Sequence, residues 1–217
     1  MPTPLVHLYL AQEALAGAPA GDVPAWLPRH AGDFLLGAIA PDAWSLGHAT
    51  RQEAHILPIP VPADQQGHLE LLRQYPQLQA TVLSAGQAAF VAGYMAHLCV
   101  DEIWYHEVFH PYFGPGAGRP VPLKRLVLHN VLRIHLENKY AERLDGESVV
   151  ALGQASACYG LPPFSDADLQ AWRDGVHAEL LPGGRRRSVE VLAGRLGVPA
   201  DEMTRLLESP RTIREEV

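Results

Sequence analysis

The sequence has few of the features that mark membrane-spanning or nucleic-acid-binding proteins. Its 217 residues carry 17 Lys and Arg against 24 Asp and Glu, for a net charge of −7. An acidic chain without a basic patch is a poor partner for nucleic acid. The longest apolar stretch, Ala88 to Val100, is interrupted by His97 and is shorter than the run of about 18 apolar residues expected of a spanning helix. We therefore expect no transmembrane segment and no nucleic-acid partner.

Signals for export are also missing from the sequence. The opening residues Met1-Pro2-Thr3-Pro4-Leu5 lack the basic segment and the long apolar core of a signal peptide. The chain has only two cysteines, Cys99 and Cys158, and this sparse usage predicts reduced, buried thiols. Together these observations predict a cytoplasmic protein.

Strand patterns are scarce, whereas helical periodicity recurs along the chain. The segment from about Ser84 to Phe109 is apolar on nearly all sides over much of its length, which is typical of a helix buried inside a bundle. The sequence thus predicts an all-α fold, a multi-helix bundle around this central helix. We expect residues 1–160 to form the bundle and residues 161–217 to form a helical extension that packs on it or supports a homo-oligomer.

Capping residues, prolines and glycines set the expected ends of the other helices. Thr3 is expected to cap the first helix and Ser165 a later one. The expected helices cover residues 4–17, 26–30, 33–40, 64–75, 121–144, 148–159, 166–181, 188–196 and 199–208. The stretch from Pro41 to Pro62 is predicted to be a long irregular connection, and a loop of this length inside a domain is usually functional.

Histidine is abundant, with 11 residues in the chain. His97 and Asp101 are spaced i, i+4 on the predicted central helix, so their side chains share one face. A buried carboxylate needs a cation or a hydrogen-bond donor, because its desolvation is costly. The pair therefore predicts either a metal site or a hydrogen-bonded pair in the core. Asp42 and His55 lie in the irregular connection, which can fold back onto the same face, and two histidines with two carboxylates suit Zn²⁺ or another divalent metal.

A second pattern, His106-Glu107-Val108-Phe109-His110, matches the H-E-x-x-H motif of zinc proteases. Its context is poor, because Pro111 follows at once and places His110 at the end of the predicted helix. The residues expected after the motif in metzincins are replaced by Phe113 and Gly116. A metalloprotease is therefore kept as an alternative.

Two longer segments carry a resemblance to a known family. They are Phe34-Leu-Leu-Gly-Ala-Ile-Ala-Pro-Asp42 and Gly93-Tyr-Met-Ala-His97-Leu-Cys-Val-Asp101. Together with His7, His55 and His106, they resemble the zinc-dependent phospholipase C family, an all-helical family whose superfamily includes single-strand-specific zinc nucleases. The resemblance covers roughly residues 3–145 and extends to most of the predicted bundle.

The resemblance implies a set of metal ligands. It places one zinc ion on Asp42, His55, His97 and Asp101. It also implies that Asp101 bridges to a second ion bound by His7, and that His106 belongs to a third site. His129 and His135 are candidate additional ligands, but Arg133 and Lys139 follow them where the family pattern has a carboxylate. Secreted members close the cluster with an N-terminal tryptophan, whereas this sequence begins with Met1-Pro2. We therefore expect one or two metal ions.

These residues predict a metal-dependent phosphoesterase that acts on a small or lipid-like phosphoester with a metal-activated water. A pair of divalent ions can activate the water and neutralise a phosphoryl oxygen, and Asp42 would serve as metal ligand, general base or both. The competing hypothesis is a non-catalytic metal-binding or interaction protein with the same fold.

Overall fold

Every regular element among the described residues is helical, which confirms the all-α prediction. The computed structural model describes residues 1–17, 19, 24–79, 83–115, 122–183, 189–190, 193–194, 197, 199–201 and 204–205. The predicted helices over residues 188–196 and 199–208 therefore lie only partly within the described residues.

The α-helices are named here in chain order. They are α1 (Pro4–Gly17), α2 (Ala31–Gly37), α3 (Arg51–His55), α4 (Gly67–Gln74), α5 (Ala85–Trp104), α6 (His110–Phe113), α7 (Pro122–Ala141), α8 (Gly146–Gln154) and α9 (Asp166–Leu180). Short 3₁₀ segments occupy Leu27–His30, Ala40–Leu46 and Pro76–Leu78. One wide π turn, Tyr105–Phe109, joins α5 to α6. Among the described residues, no helix combines the length and apolar character needed to cross a bilayer.

Helix α5 is the buried centre of the bundle, as the sequence predicts. A capping box fixes its start: the Ser84 hydroxyl accepts from the Gln87 N–H at 3.3 Å, and the Gln87 side chain accepts from the Ser84 N–H at 2.9 Å. Helices α1, α2 and α4 pack against α5. Tyr94 and Leu98 are almost fully buried on it. Because α5 is covered by several partners, its polar residues are surrounded by protein.

Two glycines let α2 and α5 cross with their backbones in contact. A Cβ atom added to Gly93 would lie 2.0 Å from the Phe34 carbonyl oxygen, and one added to Gly37 would lie 2.0 Å from the Phe90 carbonyl oxygen. Both distances are far below van der Waals contact, so only glycine fits at either position. The crossing is therefore closer than any side chain would permit, and it fixes α2 directly beside α5.

The segment after residue 160 shares the main core. Leu161, Phe164, Leu169 and Val176 belong to the same cluster of buried side chains as α2 and α5. The Trp172 indole N–H donates to the Ile39 carbonyl at 2.8 Å. Ser165 caps α9 as predicted, in a capping box with Asp168. Helix α9 thus supports the region that leads from α2 to Asp42.

The stretch from Pro41 to Pro62 is more ordered than the sequence predicts. It contains the 3₁₀ segment Ala40–Leu46 and helix α3, so His55 lies at the end of a helix rather than in a loop. Helix α3 has only five residues, too few to show a hydrophobic period. A capping box between Thr50 and Glu53 stabilises it instead.

Three smaller predictions are corrected by the structure. The helix expected over 148–159 is α8, which ends at Gln154 because the chain turns into extended backbone at Ala155. The Thr3 hydroxyl makes no hydrogen bond and does not cap α1; the Thr3 carbonyl accepts from Val6 and His7 instead. The two cysteines are free but not both buried: Cys99 is half-buried, and Cys158 is exposed because it lies in the extended segment after α8.

We predict that Gly93→Ala destabilises the protein by more than about 2 kcal/mol, because its methyl group overlaps the α2 backbone. Gly175→Ala on α9 is the matched control, since a Cβ there meets no atom within 4 Å. It should stabilise the protein by about 0.5–1 kcal/mol through helix propensity. Urea unfolding of both variants measures the difference, and equal effects of the two substitutions would contradict the close crossing.

Candidate metal centre

His97 is the centre of a cluster of polar side chains beneath α2. It lies one turn after Gly93 on α5 and is almost completely buried. Its Nδ1 lies 2.8 Å from the Ala38 carbonyl oxygen, and because a carbonyl only accepts, Nδ1 carries the proton. Nε2 is then an unprotonated acceptor, and it has no hydrogen-bond partner. This is the tautomer and the backbone support expected of a histidine that ligates a metal.

Asp101 lies one turn further along α5 and meets three histidines. Its Oδ1 is 3.3 Å from His7 Nε2, and its Oδ2 is 3.6 Å from His55 Nε2 and 3.8 Å from His97 Nε2. Neither oxygen makes a hydrogen bond that satisfies ordinary geometry. No lysine or arginine among the described residues forms an ion pair with Asp101. Asp101 Oδ2 and His97 Nε2 are thus two hydrogen-bond acceptors that lie side by side. A cation between them would stabilise this arrangement.

His7 and Asp42 complete the cluster from opposite sides. His7, on α1, is buried, and its ring stacks on that of His97 with the centroids 3.7 Å apart. Asp42 follows Pro41 in the 3₁₀ segment after α2, and its Oδ1 is 3.6 Å from His55 Nε2. Two overlapping groups of possible ligands result, His7 with His97 and Asp101, and Asp42 with His55 and His97. The structure thus brings together all five residues for which the resemblance implied two metal sites.

Helix α3 is held in place by two features around His55. The Tyr94 hydroxyl, buried on α5, donates to the Ala54 carbonyl at 2.6 Å and ties α3 to the central helix. Immediately after His55, Ile56 has a φ of 63°, a conformation that is rare for a β-branched residue. Backbone strain of this kind persists where the surrounding structure enforces it, and it is concentrated at functional sites.

The distances within the cluster suit a tetrahedral ion. With metal–ligand bonds of about 2.0–2.1 Å, neighbouring nitrogen and oxygen ligands in a tetrahedron lie about 3.3 Å apart. The separations of Asp101 and Asp42 from the histidine nitrogens are 3.3–3.8 Å. The buried group His7, His97 and Asp101 could therefore hold a metal ion with little rearrangement.

The electrostatics keep the cluster ready to bind a cation. Burial and the neighbouring His7 lower the pKa of His97 to about 3, so its imidazole is neutral near pH 7. Burial alone would raise the pKa of Asp42, but the neighbouring His55, followed by His97, lowers it to about 2. Burial would likewise raise the pKa of Asp101, but His7 and His97 hold it well below its usual range. His97 is therefore available as a neutral ligand and the two carboxylates as anions.

The structure places His106 outside this cluster. His106, Glu107 and His110 are all exposed. They lie in and next to the π turn, which has more residues per turn than an α-helix. The two histidines of an H-E-x-x-H motif therefore do not project from one face as they would on an α-helix. Among the described residues, none of the three belongs to a group of possible ligands within 4.8 Å of one another. The geometry gives no support to the metalloprotease alternative.

The two candidate additional ligands on α7 are also separate from the cluster. His135 is exposed. His129 is buried among aromatic rings and accepts a hydrogen bond from the Trp104 indole N–H at 3.0 Å. Burial, with smaller contributions from the N-terminal amino group and Arg133, lowers the pKa of His129 to about 2. Its Nε2 is thus occupied by a donor.

No sequence motif marks Arg51 as a site residue. This residue lines a small cavity beside the cluster, together with His55, Asp101 and Glu102, and with Leu57 and other apolar residues. Arg51 and His55 are spaced i, i+4 on α3, so they share a helical face. That spacing is visible in the sequence, but it gains meaning only once residues 51–55 are known to be helical.

The chain matches no family model, no curated protein and no solved structure. The chemistry of the cluster therefore follows from its own residues and distances.

We predict that zinc stabilises the protein through Asp101. An ion at 100 times its dissociation constant raises the free energy of unfolding by about 2.7 kcal/mol. Asp101→Asn should abolish this gain, whereas Asp174→Asn, which changes an exposed carboxylate paired with Arg173, should retain it. Thermal unfolding with zinc and with a chelator measures both. A hydrogen-bonded pair without metal predicts the opposite pattern, in which Asp101→Asn destabilises the protein and zinc has no effect.

We also predict that Tyr94→Phe weakens zinc binding without removing a ligand. The lost hydroxyl leaves the Ala54 carbonyl without its buried donor and loosens α3, which carries His55. The dissociation constant for zinc should rise about tenfold or more, as for other groups that position metal ligands. Tyr112→Phe, at an exposed position, is the control. Competition with a chromogenic chelator gives both constants, and equal affinities would show that this hydrogen bond does not position His55.

Proposed function

We propose that this protein is a metal-dependent phosphoesterase of the zinc-dependent phospholipase C type. The observation that carries the proposal is the convergence of His7, Asp42, His55, His97 and Asp101, from four separate elements, on one buried point. All five belong to the ligand set that the resemblance implies. We propose Zn²⁺ as the ion, because neutral imidazoles with carboxylates are ligands that zinc prefers.

Asp42 differs from its neighbours in its exposure. Its side chain is 20% exposed, compared with 7% for Asp101 and 4% or less for His7, His55 and His97. Of the five cluster side chains, that of Asp42 is therefore the most accessible to solvent. Its Oδ2 is itself buried and has no hydrogen-bond partner, so one acceptor of the carboxylate is left free.

The role of Asp42 follows from its charge. Its low pKa keeps the carboxylate ionised throughout the physiological range, which suits a ligand that also orients the attacking water. A bound divalent ion would supply Lewis-acid stabilisation of the phosphoryl oxygens and make water more acidic. His97, supported by the Ala38 carbonyl, would hold its ring orientation during the reaction, and Asp101 would balance the positive charge.

A non-catalytic metal-binding protein is the second candidate, and one observation favours it. Four of the five cluster side chains are nearly inaccessible, and structural zinc sites are closed in this way, whereas catalytic sites keep an open position. The exposure of Asp42 is the feature that separates the two candidates. Turnover therefore provides the deciding test.

We predict that the zinc-loaded protein hydrolyses bis-p-nitrophenyl phosphate and that Asp42→Asn lowers kcat about 100-fold or more. Asp64→Asn, which changes an exposed aspartate, should leave kcat unchanged. Glu107→Gln should also have no effect, since Glu107 is exposed and outside the cluster. Loss of activity in Glu107→Gln would favour a metalloprotease, and tight zinc binding without turnover of any phosphoester would favour the non-catalytic candidate.

A further inference from the structure

Helix α9 contacts both ends of the segment that carries Asp42. This segment, Ala40–Leu46, is a 3₁₀ helix of seven residues, and no side chain caps its start. Runs of 3₁₀ helix longer than three or four residues are uncommon, because their hydrogen bonds are poorly aligned. The conformation of a segment of this length therefore depends on contacts with other parts of the chain.

Trp172, which is half-buried on α9, contacts the start of this segment. Its indole N–H donates to the Ile39 carbonyl at 2.8 Å, and the Asp42 N–H donates to the same oxygen at 3.2 Å. A carbonyl oxygen can accept both bonds, since it has two lone pairs. The preceding carbonyl, that of Ala38, is the one that His97 contacts through Nδ1. Trp172 thus fixes the stretch of backbone that supports His97 and leads to Asp42.

Asp168 contacts the other end of the segment. It is spaced i, i+4 from Trp172, so the two side chains share one face of α9. Asp168 Oδ1 pairs with Nδ1 of His48, which follows the last turn of the segment at Gly47. Asp168 Oδ2 accepts from the Ser165 hydroxyl in the capping box of α9. The His48 side chain is 70% exposed, so we expect this contact to contribute less than the Trp172 hydrogen bond.

We propose that α9 positions Asp42 and His97 for metal binding through these two contacts, with Trp172 as the main positioning residue. This inference rests on the proposed function. Asp101 is fixed by the long helix α5, whereas Asp42 lies in a short 3₁₀ segment, so its place in the cluster depends on α9. Groups that orient metal ligands in this way typically contribute 10- to 100-fold to metal affinity or activity.

The test compares substitutions on α9 in the full chain, with Zn²⁺ alone as the first probe. Trp172→Phe keeps an aromatic ring but removes the donor, and it should raise the dissociation constant for zinc about tenfold or more. Arg173→Met is one matched control, because Arg173 donates to a different backbone carbonyl, that of Ala155. Val176→Ala is the other, because it removes packing in the main core. Both controls should bind zinc like the unaltered protein in competition with a chromogenic chelator.

Cobalt gives a readout that a loss of stability alone would not change. Co²⁺ binds the same nitrogen and oxygen ligands as zinc, and its visible absorption depends on their arrangement. Trp172→Phe should shift the spectrum of the cobalt-loaded protein, because the Asp42 carboxylate and the His97 imidazole change position. Val176→Ala should lower the free energy of unfolding and leave the spectrum as it is. In turnover of bis-p-nitrophenyl phosphate, Trp172→Phe should lower kcat about tenfold or more.

A second variant tests the other end of the segment. His48→Ala removes the partner of Asp168 at an exposed position, and it should raise the dissociation constant for zinc about twofold to fivefold. If Trp172→Phe does not fold, this variant decides the question. Unchanged zinc affinity together with an unchanged cobalt spectrum in His48→Ala would then overturn the inference.

The outcomes separate this inference from the proposed function. If the unaltered protein hydrolyses the ester and Trp172→Phe retains zinc affinity, cobalt spectrum and kcat, the role of Trp172 is wrong and the phosphoesterase stands. If zinc affinity and the cobalt spectrum change as expected but the unaltered protein turns over no phosphoester, α9 positions the ligands of a non-catalytic centre and the proposed function fails. If the unaltered protein binds neither ion, or if Arg173→Met and Val176→Ala act like Trp172→Phe, the inference is overturned.

Discussion

The close contact between α2 and α5 is the constraint on which the rest of the structure depends. Gly37 and Gly93 remove the side chains that would separate the two helices. One turn beyond the crossing, the Ala38 carbonyl comes within hydrogen-bond reach of His97 and fixes its tautomer. The chain then turns at Pro41, and Asp42 lies opposite the same histidine. Two glycines, each unfavourable in an isolated helix, thus determine where the candidate ligands on α5 and on the following segment meet.

The buried cluster is an arrangement that a protein core would not retain for packing alone. Three imidazoles and two carboxylates lie within a few ångströms, and several of their atoms have no hydrogen-bond partner. Buried polar groups left in this way cost stability unless something compensates them. A cation is the simplest compensation, because His97 Nε2 and both Asp101 oxygens are acceptors without a hydrogen-bond partner.

Much of this architecture could be predicted from the sequence. The apolar length of α5 indicated a central buried helix, and the i, i+4 spacing of His97 and Asp101 required only that this helix form. The capping residues Ser84 and Ser165 marked helix starts correctly. These features are local, so short-range patterns are enough to identify them.

The predictions failed where tertiary contacts determine local structure. Helix α3 is too short to show a period and is held by Tyr94, forty residues away in sequence. The π turn after Trp104 moves His106 and His110 to the surface and cannot be recognised from residue types. No motif includes Arg51, because its position beside the cluster depends on a cavity formed by segments that are distant in the sequence.

The dispersal of the ligands along the chain has a consequence for turnover of the protein itself. The cluster brings His7 on the first helix beside Asp101 near the middle of the sequence, so an ion bound there would cross-link positions more than ninety residues apart. Without the ion, repulsion between the buried carboxylates of Asp42 and Asp101 would favour separation of the elements that carry the candidate ligands. Such partly opened molecules are the substrates of cellular proteases. The rate at which the protein is degraded in the cell would therefore depend on the concentration of metal available when it folds.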